Sequence, residues 1–527
     1  MKRVKLLLFF ILLFSFSVYS QTHWVVFTDK NETVFNPYEY FDEKAIERRL
    51  DIGYDLHDYS DFPVNEQYVL QVENSVDSVS YVSRWMNALS VWGTHQQLAQ
   101  VSNFEFVKEI IPIEQDFVLC SAKSPISKID TSIWTNQLSV MQGNLFAEAG
   151  IDGRGVRVAV FDGGFPGVDT HPAFEHIRND GRIIKTWDFV RKREHVYGAN
   201  SHGTMVLSVI AGIYNGKPLG LATGAEFLLA RTERNTEPYS EEVNWAAALE
   251  WADKNGADIV NSSLGYTYHR YFPYQMDGQT SFISRIANQA ASKGILIVNA
   301  AGNDGDNKWT IIGAPADADS ILSVGGINPY TDYRINFSSF GPTSDFRRKP
   351  NVCAFGHAVV AGKKNLTEIF GTSFASPLVA GFAACTKQLH PELHGVELKE
   401  MIEQSGRQYP FFDYAHGYGV PQASKVFNPY VNNNEITFFV NHNEQGAYIN
   451  ISDNQLVETS DEAKNVYNNY LYFAYIDNEG IICEWGIIKV TEREFLVQNP
   501  LRFPMAVELS LHFRGYTTSV SLTSDNY

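Results

Sequence analysis

The sequence predicts an α/β fold: a three-layer core on a mainly parallel sheet, preceded by a small α+β unit and followed by a small β-sandwich-like region. Three observations carry this reading. From about 133 to 430, short apolar strands alternate with stretches of helical period, the pattern of crossover units on a parallel sheet. Residues 21–122 mix brief apolar runs with one amphipathic segment. After Pro429 the helical period stops and strand-like runs take over.

The elements follow in order. Lys2, Arg3 and Lys5 precede the apolar run Leu6–Phe14, and Val18-Tyr19-Ser20 offers a small residue before Gln21. This is the layout of an export signal, and the run is shorter than the roughly 20 residues a spanning helix needs. Residues 1–20 are expected to be removed, and the chain to be secreted or held at the cell surface. No later segment reads as transmembrane. In residues 21–122, Trp24-Val25-Val26-Phe27 and Tyr68-Val69-Leu70 are apolar stretches, Tyr81–Leu89 is amphipathic, and Phe104–Val107 is strand-like. The polar run Ser121–Ser132, with Pro125, reads as an exposed connector.

In residues 123–430 the buried strand Val156–Phe161 comes first. Val206, Val209, Ile210 and Ile213 then repeat at the spacing of one helix face. Asp258–Asn261 is the next strand, a helix with Ile283, Ile286, Ala287 and Ala290 leads to Ile295–Val298, and Ile321–Val324 follows. In residues 431–527, Ile436–Val440, Tyr448–Ile451, Tyr470–Ile476, Ile481–Val490 and Met505–Phe513 read as strands, with a turn at Asp477–Gly480.

Composition narrows the function classes. The 527 residues carry 42 Lys and Arg against 60 Asp and Glu, a net charge of −18. That balance argues against nucleic acid, which calls for a basic footprint, and against an anionic membrane surface. Four cysteines in this length exclude a disulfide-built scaffold. The pairing of Cys120, Cys353, Cys385 and Cys483 stays open.

Three motifs stand at the ends of core elements. Phe161-Asp162-Gly163-Gly164 ends a buried strand in a carboxylate. Ser201-His202-Gly203-Thr204 opens a helix. Gly371-Thr372-Ser373-Phe374-Ala375-Ser376-Pro377 opens another, with Pro377 expected in its first turn. Each alone is a common cap or turn. Together they supply a nucleophile, a base and an orienter: a serine hydroxyl needs an imidazole to take its proton, and the imidazole needs a carboxylate to hold its tautomer. Asn303, in Asn299-Ala300-Ala301-Gly302-Asn303 after a strand, adds a side-chain amide suited to a developing oxyanion.

In this chain order and with these motifs, the middle region resembles the subtilase family of serine peptidases. Ser263-Leu264-Gly265 matches the family's substrate-pairing strand edge, Asn299–Gly305 its oxyanion segment, Phe337–Gly341 a loop before the nucleophile helix, and Tyr418-Gly419-Val420 its closing motif. The resemblance implies a subtilisin-like fold and a catalytic set of Asp162, His202, Ser373 and Asn303. It also implies substrate contacts at Ser263, Leu264, Gly265, Ala301, Gly302 and Gly313. Gly313 is expected to leave room for a large side chain in the specificity pocket. The N-terminal unit stands where the family carries a pro-segment that inhibits and chaperones its own enzyme, with cleavage expected between about 113 and 132.

Some positions depart from the family pattern. Gly163 follows Asp162, Met205 stands where a second histidine is common, and the stretch Ile213–Gly224 is short for a calcium-binding loop. The chemistry requires no cofactor, and structural calcium is possible but unassigned. Neither zinc spacing is met by His390-Pro391-Glu392-Leu393-His394. The expected partners are protein or peptide substrates and the chain's own pro-segment. The alternative is a catalytically silent subtilase acting as a surface-binding module through its β-tail, and the presence of all four catalytic groups opposes it. An α/β-hydrolase is opposed by Ala375, where its elbow needs glycine, and by His202 preceding the serine.

Overall fold

The computed structural model describes residues 21–113, 129–234, 240–268, 270–429, 435–443, 445–452, 455, 469–498 and 506–522. The expected export segment, Cys120 and most of the expected connector lie outside the described residues. The chain divides into two compact units, Met1–Phe35 with Tyr59–Gln115, and Asn36–Asp58 with Asp116–Tyr527.

The first unit is a four-stranded antiparallel sheet in the order Ser78–Ser83, Ala88–Gly93, Gln21–Phe27, Val107–Ile113. Helices Glu66–Glu73 and His95–Val101 belong to it, the second opened by a capping box of Thr94 and Gln97. Its core includes Val25, Phe27, Val72, Leu89, Val91 and Leu98. Three local expectations change here. Tyr68-Val69-Leu70 lies in a helix, started by Asn65 accepting from Gln67 N at 2.8 Å. Tyr81–Leu89 is not one amphipathic segment but spans two paired strands with a turn between them, Asn87 turning at φ +47. Residues Phe104–Phe106 precede the last strand, and Phe106 stacks on Tyr68 with ring centres 4.2 Å apart.

The second unit is built on a seven-stranded parallel sheet, ordered Val352–Phe355, Leu322–Ile327, Leu296–Ala300, Ile259–Ser262, Arg157–Asp162, Glu226–Arg231, Ile183–Asp188. The chain lays its first three strands to one side and the next four to the other, so the order reverses between Ile259–Ser262 and Arg157–Asp162. A crevice opens at the carboxyl ends of strands at such a reversal. The two faces separate by alternation. Val158 and Val160 share a core cluster with Val206 and Val379, on helices His202–Ala211 and Thr372–Leu389. Phe161 meets Trp245 of helix Ser240–Lys254 edge to face, and helix Phe282–Ser292 follows.

Two boundaries differ from expectation. The helix beginning at His202 stops at Ala211 because Gly212 is extended, so Ile213 leaves the helix face and pairs with Pro218 in a hairpin. Pro377 lies beyond the first turn of Thr372–Leu389, where its missing N–H leaves the Ser373 carbonyl without a helical donor.

The described residues between 438 and 521 form two antiparallel sheets, one of three strands and one of four, which share a core of Phe438, Ile449, Val497, Leu471, Leu509 and Leu511. Strands Glu494–Gln498 and Tyr516–Ser521 add to the runs read from sequence. The second sheet packs Tyr470, Tyr472 and Ile482 against Phe411, Phe412 and Tyr414. Cys353, Cys385 and Cys483 are free thiols, the first two buried.

Candidate active site

Asp162 closes the strand Arg157–Asp162 at the crevice and is fully buried. Its Oδ1 accepts from Gly163 N at 2.7 Å, and its Oδ2 lies 2.8 Å from His202 Nδ1. A carboxylate only accepts, so this contact sets Nδ1 as the protonated nitrogen. His202 is the first residue of its helix, its amide held by Asn200 Oδ1 at 3.0 Å, and its side chain is 20% exposed. Gly203 makes the approach possible: a Cβ there would stand 2.5 Å from Gly164 O and 2.8 Å from Asp162 Cβ. Burial disfavours the imidazolium, but the charge of Asp162 and its hydrogen bond outweigh burial and hold His202 above the ordinary imidazole range. The Phe374 ring covers the imidazole at 5.4 Å.

Ser373 follows Thr372 at the start of its helix and is 8% exposed. Its Oγ donates to Ser263 O at 3.1 Å, and Ser263 Oγ donates to Ser373 O at 2.9 Å. Asn303 is exposed, and its Oδ1 accepts from Thr372 N at 2.9 Å and from Thr372 Oγ1 at 3.0 Å. With the oxygen thus engaged, the amide Nδ2 is the end left for a ligand.

Ser263-Leu264-Gly265 continues from the end of Ile259–Ser262, Leu264 O accepting from Asn299 Nδ2 at 3.0 Å. Ala301 is buried and tied to Val324 O at 2.9 Å, while Gly302 O accepts from Ser339 N at 2.9 Å. Gly313 adjoins this segment through the paired backbones of Tyr266 and Ala314. A Cβ on Gly313 would stand 2.6 Å from Thr267 Cγ2. The absence of a side chain at Gly313 therefore permits this close packing with Thr267.

Sequence reasoning missed Thr372, which holds Asn303, and Asn261, which accepts from Ser376 Oγ at 3.0 Å and donates to Ser263 Oγ at 3.1 Å. A threonine directly before the nucleophile was the available signal for the first. The stretch 213–224 holds no carboxylate, and Lys217 Nζ there lies 4.6 Å from the Trp134 ring centre, so these residues do not fit calcium. His390 Nε2 is engaged by Val426 O at 3.0 Å, and His394 faces Lys387 Nζ at 3.1 Å.

The fold and these groups define a class of serine peptidase, and comparison with known proteins agrees. The subtilase family model matches residues 153–419, just over half of the chain, and a model described as the peptidase S8 propeptide domain of Bacteroidota matches residues 22–123. The chain belongs to the subtilase family. It is 31% identical over 258 residues to a thermostable alkaline protease of Halalkalibacterium halodurans, which is 49% of this chain and 63% of that protein. It is 30% identical over 271 residues to subtilisin BL of Lederbergia lenta, covering 51% of this chain and 89% of that one. Against serine protease AprX of Bacillus subtilis it is 30% identical over 287 residues, 48% of this chain and 61% of the relative. A solved cold-adapted subtilisin-like serine proteinase aligns with 52% of this chain and 88% of its own, at 24% identity and a TM-score of 0.41.

Proposed function

We propose that the chain is an exported serine endopeptidase made as a zymogen. Its parts are a signal at 1–20, a pro-segment at 21–122, a catalytic domain at 123–430 and a β-rich domain at 431–527. The single observation that carries the reading is the 2.8 Å contact of His202 Nδ1 with buried Asp162, which orients an imidazole as a general base requires. Among the described residues, no helix is long and apolar enough to cross a membrane.

Substrate main chain would pair with Ser263–Gly265, beside Ala301, Gly302 and Gly313. Ser373 Oγ would turn from Ser263 O, give its proton to His202 Nε2 and bond to the scissile carbonyl carbon. The oxyanion so formed would accept from Asn303 Nδ2 and from the Ser373 amide. Collapse breaks the C–N bond as His202 returns the proton to the leaving amine. Water, deprotonated by the same imidazole, then releases the acyl group. Asp162 keeps the imidazole oriented throughout.

The test follows the exported chain and its Ser373→Ala form over time by size and N-terminal sequence. Only the unmutated chain should shorten by about 100 residues, near the propeptide boundary at residue 123, and react with a phosphonylating reagent for active serines. Equal processing of both forms would overturn self-maturation. A processed, unmutated protein that fails to react would overturn the peptidase assignment.

A further inference from the structure

Residues 36–58 fall inside the stretch that matches the propeptide family, yet they belong to the second compact unit. They carry the helix Glu43–Asp51, whose adjacent arginines are both buried: Arg48 is 1% and Arg49 0% exposed. Asp253, near the end of helix Ser240–Lys254, receives both. Arg48 Nη2 lies 2.5 Å from Asp253 Oδ1, and Arg49 Nη2 2.6 Å from Oδ2. Arg48 also donates to two chain reversals, from Nε to Lys293 O at 3.1 Å and from Nη1 to Ala257 O. Asp42 N donates to a third carbonyl, Lys254 O, at 2.8 Å.

Each acceptor has a physical need for these donors. The last carbonyls of a helix have no partner within it, and a carboxylate there opposes the helix dipole. Two forked guanidinium groups answer both needs at once. The fit extends outward: Arg157 Nη1 reaches Asp42 Oδ1 at 3.0 Å, Lys44 Nζ reaches Gly155 O at 2.5 Å, and Arg49 lies 3.9 Å from the Phe41 ring centre. The catalytic sequence is also shaped to the segment. A Cβ on Gly256 would stand 2.7 Å from Lys44 Cβ, and one on Gly294 would stand 3.1 Å from Arg48 Cγ.

We propose that the notch bounded by Asp253, Ala257 and Lys293 is a binding site for the paired guanidinium groups of Arg48 and Arg49, and that residues 36–58 remain there as a second chain of the mature enzyme. The chain passes between units at Phe35/Asn36 and Asp58/Tyr59. Cuts near 35 and near 58, after the one in the connector, would free the first unit and leave the segment seated. Each cut is a hydrolysis that consumes one water and leaves a carboxylate and an amine. The retention claim rests on the processing proposed above; the binding claim does not.

The binding claim is tested in the full Ser373→Ala chain, with a site for an added protease engineered into the connector. After cleavage, gel filtration is run in about 1 M NaCl, where the Debye length is about 3 Å. The N-terminal chain should co-elute with the catalytic unit. In Arg48→Ala/Arg49→Ala it should dissociate, with affinity at least about 100-fold weaker. Arg48→Lys/Arg49→Lys keeps the charge, loses the fork and should fall between. It decides the matter by the same readout if the alanine form does not fold. Dissociation of the unsubstituted N-terminal chain at micromolar concentration, or equal retention by the substituted ones, would overturn the site. For the second chain, intact mass of the purified active enzyme should include a peptide spanning about residues 36–58. Its absence from active enzyme would overturn retention, whereas a wild-type chain that never processes would overturn the zymogen reading and leave the notch experiment standing.

Discussion

Ser263 and Ser373 exchange two hydrogen bonds, Oγ of each to the carbonyl of the other, at 2.9 and 3.1 Å. One of them follows from Pro377, which has no N–H for the Ser373 carbonyl and so leaves it to Ser263. The other holds the nucleophile's proton on the strand edge where substrate is proposed to pair. Ser263→Ala should therefore destabilise the fold by about 1–2 kcal/mol, the cost of a buried acceptor left without its donor. Urea unfolding in the Ser373→Ala background, where autolysis cannot interfere, measures it. An unchanged midpoint would mean that the Ser373 carbonyl finds another donor.

Thr372 fixes which end of Asn303 faces the cleft, through two contacts to Oδ1 at 2.9 and 3.0 Å. Thr372→Val removes the hydroxyl contact and keeps the amide one. It should lower kcat about tenfold with little change in KM, since the amide donor acts on the transition state. Asn303→Ala should cost about 10²–10³ in kcat. A Thr372→Val effect confined to KM would contradict the positioning role.

His202 is held above the ordinary imidazole value of 6.5, because burial opposes its charge but Asp162 overcomes that cost. A base must be neutral to accept a proton, so kcat/KM should fall as pH drops through a value on the alkaline side of 6.5. Asp162→Asn removes the cause, so the acid limb should move to lower pH while kcat falls about 10⁴-fold. A limb that stays in place in that variant belongs to another group.

Two buried lysines, Lys349 and Lys387, and the half-buried Lys425 set a second pH dependence. Burial pushes Lys349 down to about 7 and Lys387 and Lys425 down to about 8. Their Nζ atoms donate to main-chain carbonyls: Lys349 to Ile321 O at 2.8 Å, Lys387 to Pro391 O at 2.6 Å, and Lys425 to Gly406 O at 2.7 Å. In the unfolded chain a lysine stays protonated to about pH 10.4. Between about pH 8 and 10 the unfolded state thus binds more protons at these three lysines. They outnumber the two buried thiols, Cys353 and Cys385, which burial pushes up and which act in the opposite sense, so stability should rise with pH across that window. Thermal melts of the Ser373→Ala chain measure the slope, and Lys349→Met should flatten it. A melting temperature falling steadily from pH 8 to 10 would contradict the account.

The proposed reacting groups stand out in the sequence because each sits in a short motif at the end of a strongly patterned element. Asp162 closes an apolar run and His202 opens one, so position and chemistry coincide. Legibility failed where two periods overlap. Tyr81, Trp85 and Leu89 recur at helical spacing, but the chain between them reverses at Asn87, and a hairpin forms.

Residues 36–58 left no local signal for a different reason. Arg48 and Arg49 have the spacing of an ordinary solvated helix face, and what buries them is a carboxylate far along the chain. Burial of adjacent cations is decided by tertiary partners, which no window of neighbours contains.

That distance has a consequence in time. Arg48 is 205 residues ahead of Asp253 and 245 ahead of Lys293. At a synthesis rate of about 5–20 residues per second, it precedes its last partner by roughly 12 to 50 seconds. Through that interval the two arginines are hydrated cations on a nascent chain with nowhere to dock. The notch therefore cannot close before Lys293 has been made, and any anionic surface met during synthesis or export competes for the same pair.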